Sequence, residues 1–210
     1  MGSGSPLSTR RRSLECSNAF TQPQIIPVRG WALQFASALS SELEDASGWN
    51  LNPEEVRRFS LRFQQQTQPQ ASSKDPLRHI LLVEDNPADV ELVMEALEEH
   101  EVSCELLLAT NGERAVTFLD EIEAGKQPCP DLLTLDLNLP RRSGKEILER
   151  MRAGSICQHV PVVVLTSSDS QADKDAVARF HPSRYLLKPL ALGEFLQLGG
   201  VFKRLLNPPA

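Results

Sequence analysis

Asp136 follows the apolar run Leu132-Leu133-Thr134-Leu135 and precedes Leu137-Asn138-Leu139-Pro140, with Gly144 a few residues on. Such a run reads as a buried strand, and the Pro-x-x-x-Gly stretch as a turn before a helix. A carboxylate therefore stands at the carboxyl end of a core strand, where open α/β sheets put their chemistry. The pattern recurs. Ile80–Val83 leads into Glu84 and Asp85, Val160–Leu165 into Thr166 and Ser167, and Tyr185–Leu187 into Lys188. Three acids, a hydroxyl and an amine at four strand ends compose a metal-dependent phosphoryl-acceptor site. Crowded carboxylates repel unless a cation lies among them. Oxygen-only ligation points to Mg²⁺. One carboxylate can then act as the nucleophile. The Lys188 ammonium and the Thr166 hydroxyl would meet the charge on the transferring group.

The elements that must position these residues alternate from Arg78 onward. Strands are expected at Ile80–Val83, Cys104–Leu108 (a candidate edge strand), Leu132–Leu135, Val160–Leu165 and Arg184–Leu187. Helices are expected at Pro87–His100, Gly112–Ala124, Ser143–Arg152, Ser170–Arg179 and Leu190–Leu206. Val90, Val93, Met94 and Leu97 would form the inner face of the first helix, and Ala115, Val116, Leu119 and Ile122 that of the second. Five βα units in series imply a parallel sheet with helices on both faces. The leading order is the flavodoxin-like 2-1-3-4-5, which sets strands 1 and 3 side by side and brings Glu84, Asp85 and Asp136 to one crevice.

The chain of 210 residues is 40% hydrophobic and 24% charged, with a net charge of −6. The charge is uneven. Residues 78–210 hold 14 Lys+Arg against 21 Asp+Glu, a net −7, and residues 1–77 hold 8 against 7. An acidic domain lacks the basic face that phosphate backbones demand, so no nucleic-acid partner is expected. No apolar run approaches the roughly 20 residues of a membrane span. The four cysteines (Cys16, Cys104, Cys129, Cys157) show no metal or disulfide spacing, so reduced thiols in a cytoplasmic protein are expected. His79, His100, His159 and His181 have no ligand spacing, and Arg141 and Arg142 read as a solvated turn.

Residues 1–77 read as an N-terminal extension, partly disordered, and residues 78–207 as the principal domain. Met1–Thr9 is rich in Gly, Ser and Pro. Two short helices are expected, over Trp31–Ala46 and from Asn52 to about Gln66. The second has a cap at Asn52, a proline at its first turn and acids at its positive end. Gln64–Ser73 reads as a linker.

The blocks I-L-L-V-E-D-N-P, L-D-L-N-L-P-x-x-S-G, V-L-T-S-S and Y-L-L-K-P resemble, in order and spacing, the receiver domain of two-component response regulators. The E-D-N-P-A-D opening and the Glu123–Pro130 loop are similar to the stand-alone receivers related to phytochrome response regulators. The resemblance implies that Asp136 is the phospho-acceptor. It implies that Glu84, Asp85, Asp136 and the Asn138 backbone carbonyl hold Mg²⁺, Glu84 either directly or through water. Thr166 becomes the switch hydroxyl, Lys188 the family's ammonium and Tyr185 its rotating aromatic, with a cis Lys188–Pro189 bond. The implied partners are a sensor histidine kinase or phosphotransfer protein, phytochrome-type included, an unidentified downstream protein and a second copy of the chain. Phe180-His181-Pro182-Ser183 departs from the Gly-containing turn usual before the last strand. Only Asn207-Pro208-Pro209-Ala210 follow the last expected helix, so output through protein–protein contact or onward phosphotransfer is expected.

Two rival readings stand beside this one. A haloacid-dehalogenase-like phosphohydrolase would need its nucleophile on the first strand and a second Asp two residues on, where this chain has Asn138. A phosphorylation-independent receiver-like interaction module would dispense with Asp136 or Lys188, and both are present.

Overall fold

Short apolar runs bounded by turn residues become the strands of one mostly parallel sheet. The computed structural model describes Gln24–Pro27, for which only the backbone is described, and residues 77–208. The strands are β1 (Gln24–Pro27), β2 (Arg78–Val83), β3 (Cys104–Ala109), β4 (Leu132–Leu135), β5 (Val162–Thr166) and β6 (Arg184–Leu187). Their order is β1-β3-β2-β4-β5-β6. The last five are parallel and, counted from β2, run 2-1-3-4-5 as expected. Ile80 pairs with Leu132 and Val83 with Leu135, so β2 and β4 end level with each other.

The helices are α1 (Pro87–Glu99), α2 (Gly112–Glu123), α3 (Gly144–Ala153), α4 (Gln171–Ala178), α5 (Leu192–Leu196) and α6 (Leu198–Leu206). Their starts are set by local chemistry. The Asn86 side chain accepts from the Ala88 N–H, with Pro87 beginning α1. Asn111 accepts from the Arg114 N–H. Ser143 and Glu146 form a reciprocal capping box at α3. Alternate residues of each strand feed opposite faces of the sheet. Ile80, Leu82, Leu106 and Val163 pack under α1, α5 and α6 with Met94, Phe195 and Phe202. Leu81, Val83, Leu133, Leu135 and Val164 pack under α2, α3 and α4 with Phe118, Ile147 and Val177.

Four features depart from the sequence reading. First, β1 lies antiparallel against β3, from Gln24 opposite Leu108 to Pro27 opposite Glu105. The expected edge strand is thus flanked on both sides. Four residues carry too little periodicity to read as a strand; pairing along an already formed edge defines it. Second, the last helix is two helices meeting at Gln197. A Cβ on Gly199 would overlap the Ala96 carbonyl, so α6 rides directly on α1. Third, no peptide bond among the described residues is cis, Lys188–Pro189 included. The trans form is the ordinary preference of an X–Pro bond. Fourth, Cys129 and Cys157 form a disulfide, with Cα atoms 5.8 Å apart and a sequence separation of 28. No local motif announces it; the fold brings the α2–β4 and α3–β5 loops together. Cys104 is free and buried, and burial pushes its thiol up to about 12.

His181 adopts a positive φ of 50° in the turn before β6, occupying without glycine the conformation that glycine usually supplies. The helices expected over Trp31–Ala46 and Asn52–Gln66, the Gln64–Ser73 linker and Cys16 lie outside the described residues.

Candidate functional site

Each candidate residue is fixed by one backbone hydrogen bond that continues the ladder past its strand. The Glu84 N–H donates to the Ala109 carbonyl at 3.1 Å, the Asp136 N–H to Val83 at 3.0 Å, and the Lys188 N–H to Thr166 at 2.9 Å. The side chains are aimed by short loops. The Asn86 N–H donates to Glu84 Oε1 at 3.1 Å, and the Asn138 N–H to Asp136 Oδ1 at 3.1 Å. The turn after Asp136 passes so close that a Cβ on Gly144 would lie 2.6 Å from the Asp136 carbonyl oxygen. Any larger residue there would displace the end of β4 and with it Asp136.

The Lys188 ammonium lies among three carboxylates. Nζ is 2.7 Å from Asp136 Oδ2, 2.7 Å from Asp89 Oδ2 and 2.8 Å from Glu84 Oε2. Glu84 and Asp136 are buried, at 2% and 5% exposed. Burial raises Glu84 from 4.5 to about 7; the Lys188 charge opposes that rise, and Asp136 adds to it. Asp85 is raised as well, chiefly by burial and then by the charge of Asp136. Burial by itself would lower Lys188, but the Glu84 charge and the bonds to Asp136, Asp89 and Glu84 together outweigh it. The amine is held well above its ordinary value. With one ammonium for four carboxylates, the crevice is short of positive charge.

Glu84, Asp85, Asp136 and Lys188 are thus brought together as the sequence reading expected. Thr166 ends β5, fully buried, and its hydroxyl accepts from the Ser168 N–H at 3.3 Å. Tyr185 lies within β6, apart from the carboxylates. Its hydroxyl donates to the Ser168 carbonyl at 2.9 Å, and Lys174 Nζ stands 5.7 Å from its ring centre. Arg141 pairs with Glu113 at 2.9 Å and Arg142 with Glu146 at 3.7 Å, both on the exposed turn. Asp89 is the residue the sequence reading missed. It belongs to the E-D-N-P-A-D block, but its partner Lys188 is 99 residues away.

Glu84, Asp85 and Asp136 each offer a carboxylate oxygen within 4.8 Å of the others. Opposite ligands of an octahedral Mg²⁺ stand about 4 Å apart. The donor set, all hard oxygens with excess negative charge, fits such a cation with small adjustments. No helix of the described residues is long and apolar enough to cross a membrane.

Residues 80–198 match the family model described as the response regulator receiver domain. The response regulator Rcp1 of Synechocystis sp. is 36% identical over 129 residues, which cover 61% of this chain and 88% of that protein. The crystal structure of its Mn²⁺-bound form superposes with a TM-score of 0.57 at 35% identity, covering 63% of this chain and 97% of that one. The phosphorylated cyanobacterial phytochrome response regulator RcpA gives a TM-score of 0.59 at 32% identity, covering 64% and 98%. The receiver domain of sensor histidine kinase PA1611 from Pseudomonas aeruginosa, with a magnesium ion in its active-site cleft, gives 0.51 at 25% identity, covering 62% and 98%. A divalent metal is thus present in two similar proteins, in the active-site cleft of one of them. With the strand order, the acidic crevice and a match across more than half its length, this chain belongs to the response regulator receiver domain family.

Proposed function

We propose that the chain is a phospho-accepting response regulator in which Asp136 takes a phosphoryl group from a histidine kinase or phosphotransfer protein. The observation that carries the reading is the convergence of Glu84, Asp85 and Asp136 on two adjacent strand ends, with the Lys188 ammonium against the acceptor carboxylate. An Asp136 oxygen attacks the phosphorus of a phosphohistidine. The P–N bond breaks, its electron pair returns to the imidazole, and an acyl phosphate forms on Asp136. Glu84, Asp85, Asp136 and the Asn138 carbonyl would hold Mg²⁺, which neutralises negative charge on the carboxylates and the phosphoryl oxygens. Lys188 steadies the phosphoryl group from the opposite side. The chain catalyses only its own phosphorylation and dephosphorylation.

The Thr166 hydroxyl, now bonded to the Ser168 N–H, turns toward the phosphoryl oxygens. Tyr185, tied by its hydroxyl to the same Ser168, follows it inward. Two states of the β6 face then differ in their preference for a protein partner or a second copy. The likeness to RcpA supports a phytochrome-type kinase as donor.

The test is incubation with Mg²⁺ and acetyl phosphate, read by intact mass. The wild type is expected to gain one phosphoryl group and Asp136→Asn none. No gain by the wild type, with a known receiver labelled in parallel, overturns the reading.

A further inference from the structure

We propose that Asp89 is a positioning residue that holds the Lys188 ammonium in place when the other carboxylates are engaged by metal. The proposal rests on the phosphoacceptor reading and extends it to a residue outside the expected site.

Lys188 meets three carboxylates: Glu84, Asp136 and Asp89. The first two belong to the group able to ligate a divalent cation, and Asp89 does not. A cation among Glu84, Asp85 and Asp136 draws their charge to itself and repels the ammonium, so two of its three partners weaken together. Asp89 is the partner that remains. It is well placed for this. Asn86 caps α1, Pro87 starts it, and the Asp89 N–H donates to the Asn86 carbonyl at 3.1 Å, so the carboxylate projects from a fixed first turn. Its side chain is 19% exposed, enough shelter to strengthen the 2.7 Å contact. Lys188 sits just beyond β6, and Asp89 is its one anchor on α1 among the contacts of the ammonium.

The competing explanation is that Asp89 serves only the helix, as an acid in the first turn facing the positive end of α1. The two explanations differ in how Asp89 and Lys188 combine. If Asp89 acts through the lysine, removing its charge matters only while the lysine is present. If it serves the helix, the effects are independent and multiply.

The experiment is a double-mutant cycle of Asp89→Asn and Lys188→Met in the full chain. It reads phosphorylation by acetyl phosphate, Mg²⁺ affinity by calorimetry, and the ammonium ¹H–¹⁵N signal of Lys188 by NMR in metal-free protein. Asp89→Asn is expected to slow phosphorylation roughly tenfold in the wild-type background, the scale of one charge-assisted hydrogen bond. It is expected to have no further effect beside Lys188→Met. It is also expected to weaken Mg²⁺ binding a few-fold, because a lysine without Asp89 presses on the metal's own ligands, and to broaden the Lys188 signal into exchange with water. An equal loss in both backgrounds, or an unchanged Lys188 signal, overturns the proposal. The calorimetric and NMR arms need no phosphorylation, so they decide on Asp89 even if Asp136 takes up no phosphoryl group.

Discussion

The two ends of the sheet are built on opposite terms. At the carboxyl end, Glu84, Asp85, Asp89 and Asp136 crowd around one ammonium, and burial raises Glu84 to about 7. At the amino end, charged groups are tied to backbone and to opposite charges. The Glu123 carboxylate at the end of α2 accepts from the Ser155 N–H and Oγ at 2.9 Å and from the Ile156 N–H at 3.0 Å, bonds that lower its affinity for a proton. Arg152 donates to the carbonyls of Gln158, Val160 and Phe180 at 2.6, 3.1 and 3.0 Å. Arg150 pairs with Asp120 at 2.6 Å, and Cys129–Cys157 joins the two loops covalently. The lesson is a division of labour along the strands: one end is braced by hydrogen bonds, ion pairs and a disulfide, and the other is left short of positive charge.

The largest expected effect falls on the charged end. Asp136→Asn is expected to abolish phosphoryl uptake in the mass assay. In metal-free buffer it should melt no lower than the wild type, because it removes one of the crowded like charges. A marked drop in melting temperature would mean that the acceptor also holds the fold, and the contrast between the ends would fail. Next, breaking Cys129–Cys157 by reduction or by Cys129→Ser should cost about 3.5 kcal/mol in urea unfolding, the loop-closure scale for this separation. Phosphoryl uptake should be unchanged. Arg152→Met leaves three carbonyls without their donor and should cost about 2 kcal/mol, again without loss of phosphorylation.

The last effect is one of pH, spread gradually over a window. Folding raises Glu84 from 4.5 to about 7, so between those values the folded chain keeps a proton that the unfolded chain releases. Metal-free stability should therefore fall as pH rises through that window and level off above it. Lys188 is raised from an already alkaline value, so its contribution is present throughout the window and is lost only far above it. A metal must displace the Glu84 proton. Mg²⁺ affinity should then tighten by at most about tenfold per pH unit between pH 6 and 7 and flatten above pH 7. Calorimetry at three pH values reads this directly, and a pH-independent affinity would show that Glu84 is ionised before the metal arrives.

What the sequence disclosed, and what it withheld, divides along physical lines. Asp136, Glu84, Asp85 and Lys188 were legible because each ends an apolar run, and burial plus strand order fixes where such ends meet. The faces of α1 were legible from Val90, Val93, Met94 and Leu97, all buried. Asp89 was not, because an acid in a first turn has an adequate local explanation and its partner is distant in the chain. Cys129 and Cys157 were not, because their proximity belongs to two loops rather than to a spacing. The division of the last helix at Gln197 was not, because Phe195, Leu198, Phe202 and Leu206 keep one helical spacing across it.

The strand Gln24–Pro27 has a consequence for assembly. A sheet exposed at both sides can in principle grow by adding molecules at either, without limit. With β1 seated on β3, that edge becomes a strand of four residues ending in Pro27, which has no N–H to donate, in place of the six-residue β3. A shorter edge with a donor missing is a poorer template for strand addition, so the four residues of β1 blunt that side of the sheet against fibrous growth.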